Sequence, residues 1–226
     1  AGEGLARLRA AGVAVECGVL QAEAEAVIPG FIARMRRGRG RVRAKLAMSL
    51  DGRTAMASGA SQWITGAPAR RDVQRLRAMS CAVVTGAGTV LSDDCALTVR
   101  AEELGLPDAT AARASARQPL RVVLDSQQRA PVTARVFSAE APTLWCHDAA
   151  RGPVRPAPSA GTELLALPCL AHGLDLQGLF AELNRRQCNE ILVESGPRLA
   201  GALLQLGLLD ELIVYMAPTL MGSAAR

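Results

Sequence analysis

The sequence predicts an α/β protein whose mostly parallel sheet carries helices on both faces. Two observations lead to this prediction. From residue 42 onward, short apolar segments with strand character alternate with segments whose apolar residues recur at helical spacing. Glycine, hydroxyl and charged side chains follow directly after several of the apolar segments. This alternation is typical of parallel sheets, in which ligands collect at the carboxyl ends of the strands.

The elements before the sheet are short. Residues 1–12 predict a helix, and residues 13–15 predict a short strand. A second helix is expected over residues 22–37, with a disturbance at Pro29-Gly30.

A basic, glycine-containing segment from Arg36 to Arg41 reads as a linker, and we place a domain boundary near it. Residues 1–40 would be the C-terminal remnant of another domain plus this linker, too short to bury a core of their own. Residues 41–226 would form a C-terminally incomplete second domain. The arginines around the linker could face solvent, hold a phosphate-bearing small ligand or bind nucleic acid. Because no aromatic platform lies nearby, a solvated face is favoured.

The second part of the chain supplies the sheet and most of the helices. Strands are predicted over residues 42–48, 82–85, 120–124, 143–146, 164–167, 191–194 and 212–217. Helices are predicted over residues 67–79, 89–92, 176–186 and 197–207. Thr65 is a candidate N-cap, with Pro68 in the first turn that follows. Residues 101–118, which are Ala-rich without steady periodicity, are expected to be mostly loop, and residues 149–160 a surface connection.

The composition excludes several classes of protein. Half of the 226 residues are apolar and only 3% are aromatic, so aliphatic side chains must form the core. No stretch approaches the roughly 18 to 20 apolar residues of a membrane span, and residues 1–30 do not resemble a signal peptide. The six cysteines and two histidines form no zinc pattern, so we expect free thiols, a reducing cytoplasm and no metal. The absence of G-x-S-x-G argues against a serine nucleophile, and that of H-x-E and P-C-x-x-C against a zinc deaminase.

The stretch from Lys45 to Gly66, KLAMSLDGRTAMASGASQWITG, is the centre of the predicted site. Most side chains after its apolar run are small, which lets a flat ligand approach the backbone closely. Trp63 and the hydroxyls of Ser61 and Thr65 would add directional contacts. Lys45 is the single lysine among 26 basic residues. Because lysine is a compact charge with a movable pKa, we interpret Lys45 as functional; the alternative is an incidental surface lysine.

Two further strand ends carry candidate residues. The run from Gly196 to Gly201 joins a strand to a helix whose first N–H groups would face an anion. It matches neither G-x-G-x-x-G nor a P-loop, so it is either a phosphate site or an ordinary turn. Asp93 and Asp94 would divide acid and base duties or close a helix end. Glu194, at the end of an apolar strand, would face a cleft or pair with an arginine.

Taken in order, the motifs resemble the reductase half of the bifunctional deaminase/reductase of riboflavin biosynthesis. They are K-L-A-M-S-L-D-G-R-T-A, S-Q-W-I-T-G, G-x-G-T-V-L-x-D-D, L-T-V-R, V-E-x-G-P-x-L-A-G and D-E-L-I-V-Y-x-A-P, and they span about residues 42–226. Residues 2–20 resemble the end of the deaminase half, whose zinc-binding part would lie upstream of residue 1. The chain departs from the family at Cys95, where proline is usual, and at Ser195, where glycine or alanine is usual.

The resemblance implies a dihydrofolate-reductase-like fold and an NADPH-dependent reaction. That reaction reduces the ribosyl group of 5-amino-6-(5-phosphoribosylamino)uracil to the ribityl product. By the same resemblance, NADPH would contact Ala47, Trp63, Thr89, Asp93, Ser126, Gly196, Pro197, Arg198, Leu199, Ala200, Gly201 and Ala202. The phosphorylated substrate would contact Ser61, Arg77, Leu97, Arg100 and Glu194.

Hydride would pass from the nicotinamide to C1′ of the ring-opened sugar, which requires the two molecules to be held close together. Lys45, Asp93 and Glu194 are the candidates for moving protons. Arg77 and Arg100 suit a phosphate because guanidinium forks bind it in a bidentate way.

Two other functions stay open. One is a reductase of the same fold that acts on another pteridine or pyrimidine. The other is a non-catalytic nucleotide-binding or dimerisation remnant. The apolar strand at residues 212–217 suggests a paired edge and hence a homodimer, and neither nucleic acid nor a membrane is expected as a partner.

Overall fold

A computed structural model of the chain describes residues 2–56, 64–152, 161–171, 173–222 and 224. Its centre is a seven-stranded sheet in the order β5-β4-β3-β2-β8-β1-β9, in which every neighbouring pair is parallel. The strands of this sheet are β1 (Arg41–Ser49), β2 (Ala82–Gly86), β3 (Leu120–Leu124), β4 (Thr143–Asp148), β5 (Thr162–Leu167), β8 (Glu190–Glu194) and β9 (Glu211–Ala217). A two-stranded antiparallel hairpin, β6 (Cys169–Leu170) and β7 (Gly173–Leu174), lies outside it.

α-Helices lie in the connections from β1 to β2, from β2 to β3, from β7 to β8 and from β8 to β9, as is usual for crossovers between parallel strands. The α-helices are α1 (Glu3–Ala10), α2 (Gln21–Val27), α3 (Pro29–Arg37), α4 (Ala67–Ala78), α5 (Ala87–Asp93), α6 (Asp108–Ala116), α7 (Leu176–Arg185) and α8 (Pro197–Gln205). Short 3-10 turns occupy Ala101–Glu103, Arg135–Phe137 and Ala149–Arg151. No helix within the described ranges is both long enough and apolar enough to cross a membrane.

The sheet is covered on both faces, as the sequence predicts. Alternate strand residues such as Val42 and Ile191 pack on one face with α7 and α8. The opposite strand residues, such as Val83 and Leu192, pack with α4, α5 and the segment around Phe137. Because both faces are buried, the central strands β2 and β8 read as mostly apolar runs.

The N-terminal helices differ in how they pack. Neither α1 nor α2 buries a residue, whereas α3 packs against the loop before β8. A Cβ on Gly40 would overlap the Cys188 carbonyl oxygen and lie 2.7 Å from that of Asn189, so this contact requires glycine. The close approach ties the segment before β1 to the edge of the sheet.

The basic segment is held by carboxylates. Arg37 and Arg39 both contact Asp210, and Arg41 contacts Glu211 at 2.5 Å. The segment that reads as a linker is therefore partly regular structure, since α3 continues to Arg37 and β1 begins at Arg41. A division of the chain into domains near residue 40 remains a proposal.

All seven predicted strands of the sheet occur, within two residues at either end, but several other local predictions are wrong. Residues 13–15 form no strand, and the N-cap of α4 is Gly66 instead of Thr65, although Pro68 does lie in its first turn. The predicted loop at residues 101–118 contains α6, because alanine favours a helix without the apolar stripe that marks amphipathic ones. That helix buries only Ala111.

Candidate active site

Four adjacent strands bring most of the candidate residues to one edge of the sheet. Strands β3, β2, β8 and β1 are neighbours and all run in the same direction, so their carboxyl ends lie side by side. The candidates lie at or beside these ends. Lys45 is in the middle of β1 but level with the end of β8, and Ala47 is two residues before the end of β1. Thr89 and Asp93 lie in the helix after β2, Ser126 follows β3, and Glu194 ends β8 just before the run from Gly196. This is the arrangement in which α/β sheets bind ligands.

The centre of the edge is a buried ion pair between Arg77 of α4 and Glu194 at the end of β8. Arg77 Nε lies 2.6 Å from Glu194 Oε1, and Nη2 lies 2.9 Å from Oε2. Both side chains are about nine-tenths buried, with 12% and 10% of their surfaces exposed. The third guanidinium nitrogen, Nη1, donates to the Thr98 carbonyl at 3.1 Å. The ion pair that the sequence left as an alternative for Glu194 is therefore present at the predicted site.

Three cations keep Glu194 ionised. Burial alone would raise the pKa of this carboxyl, but Arg77 outweighs that effect and Lys45 and Arg100 add to it, so the pKa lies below its ordinary value. Lys45 is the β1 residue in register with Glu194 of β8. The Lys45 ammonium thus lies close enough to the Arg77–Glu194 ion pair to act on it electrostatically, and we call these three side chains the charged group of the sheet edge. Ionised Glu194 can accept a hydrogen bond or a proton there.

The segment after α5 passes beside this charged group. Asp93 is the last residue of α5, and Cys95 lies close enough to Glu194 and Asp93 to feel both charges. Burial, together with the charge of Glu194, raises the pKa of Cys95 to about 12. Cys95 is therefore a neutral thiol at physiological pH and no nucleophile.

Hydrogen bonds with the Arg135 backbone and the Gln118 side chain, together with the packing of Leu97, fix the segment of residues 94–100. Asp94 accepts from the Arg135 amide at 2.9 Å. Gln118 accepts from the Val99 amide at 2.8 Å and donates to the Val99 carbonyl at 2.9 Å, in place of a strand partner. Leu97 adopts φ 55° and is 2% exposed, so it packs below the site. Because almost all of Leu97 is buried, only the small exposed part of the residue could contact the predicted substrate.

Arg100 is the second arginine that the resemblance assigns to substrate. Its Nε and Nη2 donate to Glu103 at 2.6 and 2.7 Å, and 37% of its side chain is exposed. Unlike Arg77, it has an uncommitted nitrogen, because Nη1 has no hydrogen-bond partner among the described residues. Arg100 therefore has a nitrogen available for an anion.

The loop after β1 begins with an anchored carboxylate. Asp51 accepts from the Ser49 hydroxyl at 2.5 Å and from the amides of Met221 and Gly222. These bonds lower the pKa of Asp51 to about 2. The predicted contacts Ser61 and Trp63 lie outside the described residues.

The run after β8 starts α8. Gly196 is its N-cap, and no side chain caps the helix. In this run Gly196, Pro197 and Arg198 are exposed, Leu199, Gly201 and Ala202 are half-buried, and Ala200 is buried. The helix start is thus open to a ligand at the same edge as Glu194.

The sequence did not reveal the residues that hold the charged ones in place. Thr85, at the end of β2, donates its hydroxyl to the Glu194 carbonyl at 2.7 Å, and Gln74 of α4 contacts both Arg100 and Glu103. The one signal in the sequence was that Gln74 and Arg77 are three residues apart in a predicted helix. Residues at this spacing lie on the same face of a helix, so Gln74 could be expected beside the predicted site. Among the described residues, no group of three potential metal ligands comes together.

The sheet order and the charged group at its carboxyl edge define a dihydrofolate-reductase-like α/β domain. Residues 41–226 match the sequence family described as the RibD C-terminal domain, and the chain belongs to that family.

Three known proteins illustrate the similarity. The riboflavin biosynthesis protein RibD of Escherichia coli is 49% identical over 227 residues, which cover 100% of this chain and 61% of that protein. A solved structure of Acinetobacter baumannii RibD matches with a TM-score of 0.85 and 42% identity, covering 100% of this chain and 59% of that one. A Thermotoga maritima structure, of a protein named as a diaminohydroxyphosphoribosylaminopyrimidine deaminase/5-amino-6-(5-phosphoribosylamino)uracil reductase, matches with a TM-score of 0.79 and 27% identity, covering 97% and 56%. The chain thus spans about 60% of the length of these relatives.

Proposed function

We propose that the chain is a reductase domain that uses NADPH to reduce the ribosyl group of 5-amino-6-(5-phosphoribosylamino)uracil to the ribityl product. The observation that carries the proposal is the joining of Lys45, Arg77 and Glu194 at the carboxyl edge of a dihydrofolate-reductase-like sheet. Membership in the RibD C-terminal family and the name of the Thermotoga maritima relative support this substrate.

The residues present fit a dinucleotide cofactor. A Cβ placed on Gly86, Gly88 or Gly196 would meet no atom within 4 Å, so the backbone at two neighbouring strand ends borders open space. The start of α8 offers amides that an anion can accept from, and Arg198 adds an exposed positive charge. These groups would hold the phosphates of NADPH. When bound, its nicotinamide supplies the hydride.

The charged group would act on the sugar. Because Glu194 is ionised, it accepts a hydrogen bond from a sugar hydroxyl or takes up a proton, and does not donate one. Lys45, in register with it, would stabilise a developing alkoxide or supply the proton that the amine nitrogen needs when hydride adds to C1′. Asp93 completes the three candidates for proton movement. A positioned acid or base of this kind contributes roughly 10²- to 10⁴-fold to a rate.

The two arginines take different roles in this proposal. All three guanidinium nitrogens of Arg77 donate hydrogen bonds to Glu194 or to the Thr98 carbonyl, so Arg77 orients the Glu194 carboxylate. Arg100 keeps Nη1 for the phosphate of the substrate. Ser61 would be the further phosphate contact, as the resemblance implies.

The test is turnover measured as NADPH oxidation at saturating cofactor. We expect oxidation with the phosphoribosylamino-uracil and none with dihydrofolate, and the product should carry a ribityl chain. Oxidation with dihydrofolate alone would instead indicate a reductase for another heterocycle. Tight NADPH binding without oxidation in either case would indicate a non-catalytic nucleotide-binding domain.

Three broader expectations belong to the same proposal. Residues 1–40 would be a deaminase remnant with a linker, and residues 41–226 the reductase domain. The exposed apolar face of β9 would pair two copies as a homodimer. A reducing cytoplasm is the compartment that suits its scattered cysteines.

A further inference from the structure

Arg100 is held by a chain of contacts that begins in the buried part of α4. Gln74 is 2% exposed, and both ends of its amide are used. Its Oε1 accepts from the Arg100 backbone amide at 3.1 Å, and its Nε2 donates to Glu103 Oε2 at 3.0 Å. Glu103 in turn accepts from two nitrogens of Arg100. A single buried amide therefore fixes both the backbone and the guanidinium of Arg100.

This arrangement leaves one end of Arg100 available. Glu103 accepts hydrogen bonds from Nε and Nη2 on one edge of the guanidinium, and Nη1 has no partner among the described residues. Because the Arg100 guanidinium is held along one edge, its Nη1 end has little freedom to rotate. Binding a phosphate there costs less conformational entropy than it would for a free arginine side chain.

The neighbouring contacts show that α4 aligns the whole segment. Arg77, one turn after Gln74 on the same helix, donates to the Thr98 carbonyl, and Arg75 donates to the Leu104 carbonyl at 2.9 Å. The residues that Gln74 contacts, Arg100 and Glu103, lie between Thr98 and Leu104 in the chain, and Arg100 is the one with the uncommitted nitrogen. A buried amide needs both hydrogen bonds satisfied, so its removal would release Arg100 and Glu103 together.

We propose that Gln74 is a positioning residue that, through Glu103, orients Arg100 to grip the phosphate of the substrate. The inference rests on the proposed function for the identity of that substrate. The role is selective: Gln74 governs recognition of the phosphate and leaves the reduction of the sugar unaffected.

The test compares each variant on the phosphorylated substrate and on its dephosphorylated counterpart. Gln74→Met keeps the side-chain volume and removes both hydrogen bonds. We expect its preference for the phosphorylated substrate, as a ratio of kcat/KM values, to fall at least about fivefold. The loss should lie in KM, and kcat/KM for the dephosphorylated substrate should change by less than about twofold. An equal loss on both substrates, or no loss, would overturn the inference.

Two further variants keep the test sharp. Gln21→Met removes a similar amide-to-carboxylate contact on exposed α2, Gln21 Nε2 to Glu25 Oε1 at 2.7 Å, and should leave the ratio unchanged. Glu103→Gln, at a partly exposed site, weakens the grip on Arg100 without a buried change. It should lower the ratio in the same direction, and an unchanged ratio would count against the inference even if Gln74→Met fails to fold.

A binding measurement separates this inference from the proposed function. Calorimetry with ribose 5-phosphate and with ribose measures phosphate recognition without turnover. If the parent protein prefers ribose 5-phosphate but does not oxidise NADPH with the uracil substrate, the proposed function fails. Loss of that preference in Gln74→Met would then still support the role of Gln74, and retention would refute it.

Discussion

At the scale of single residues, Lys45 and Glu194 carry the chemistry of the account. Lys45 could be singled out from the sequence because a chain with 25 arginines keeps one lysine. Glu194 could be placed at a strand end, but its bidentate contact with Arg77 could not be foreseen. Arg77 and Glu194 are 117 positions apart in the chain, and only the packing of α4 near the end of β8 brings them together.

Replacing Lys45 with methionine tests its role directly. We expect kcat to fall by roughly 10²- to 10⁴-fold, because the variant loses a group that can donate a proton or stabilise negative charge on the substrate. The dissociation constant for NADPH should change by less than about threefold. The measurements are steady-state NADPH oxidation and a fluorescence titration of the cofactor.

Lys45→Arg is the matched control. Arginine keeps the positive charge beside Glu194 but does not release a proton at physiological pH. We therefore expect it to remain at least about tenfold slower than the parent. Near-normal turnover in Lys45→Met would remove Lys45 from the mechanism.

At the scale of elements, the strands could be predicted from the sequence, but the side-chain hydrogen bonds between elements could not. Apolar runs such as residues 82–84 and 191–193 mark strands buried on both faces, whatever they pack against. The bonds from Gln118 to Val99 and from Gln74 to Arg100 depend on where a helix and a loop meet. The local sequence pattern does not show which helix and loop come into contact. Helix α6 was not predicted because its alanines have a high helix propensity but form no apolar stripe at helical spacing.

The contact between the segment before β1 and the loop before β8 is expected to need a glycine. Gly40→Ala would force a methyl group against the carbonyls of Cys188 and Asn189, so the free energy of unfolding should fall by about 1–3 kcal/mol. Gly4→Ala is the control, because a Cβ there meets nothing within 4 Å. Equal unfolding midpoints in urea for the two variants would contradict this account of the contact.

Asp210 joins the same segment to the sheet, and its effect should depend on pH. Burial alone would raise its pKa, but the hydrogen bonds from Arg39 and the Val42 amide outweigh burial, so the pKa lies below the ordinary value of 3.8. A carboxylate with a lowered pKa stabilises the fold above its ordinary pKa, and the stabilisation is lost as the pH falls through the lowered pKa.

Asp210→Asn should therefore lower the free energy of unfolding at pH 7 by about 1.5–3 kcal/mol. The difference from the parent should shrink steadily below about pH 4. Urea unfolding at a series of pH values provides the measurement, with Glu16→Gln as a control at an exposed carboxyl. A difference that stays constant down to about pH 2 would show that the charge of Asp210 is not responsible.

At the scale of the whole molecule, the family and the fold could be read from ordered motifs, whereas the assembly could not. The outer strand β9 exposes Leu212, Val214 and Met216 on one face, with exposed fractions of 50, 39 and 53%. Exposed apolar strips of this kind mark interaction surfaces. The sequence showed an apolar strand at that position but not which of its faces stays uncovered.

We expect this face to pair two copies of the chain. Sedimentation velocity at micromolar concentration should show a dimer, and Val214→Glu should shift it toward the monomer. Val27→Glu, which adds the same charge at an exposed position on α2, should leave the dimer intact. A parent protein that sediments as a monomer would refute the homodimer.

The most direct test of the central claim is a crystal structure of the chain with NADPH and ribose 5-phosphate. The account predicts both ligands at the carboxyl edge of β1, β2 and β8, with the sugar beside Lys45 and Glu194 and the phosphate on Arg100. Ligands bound elsewhere, or a sugar that touches neither Lys45 nor Glu194, would contradict it.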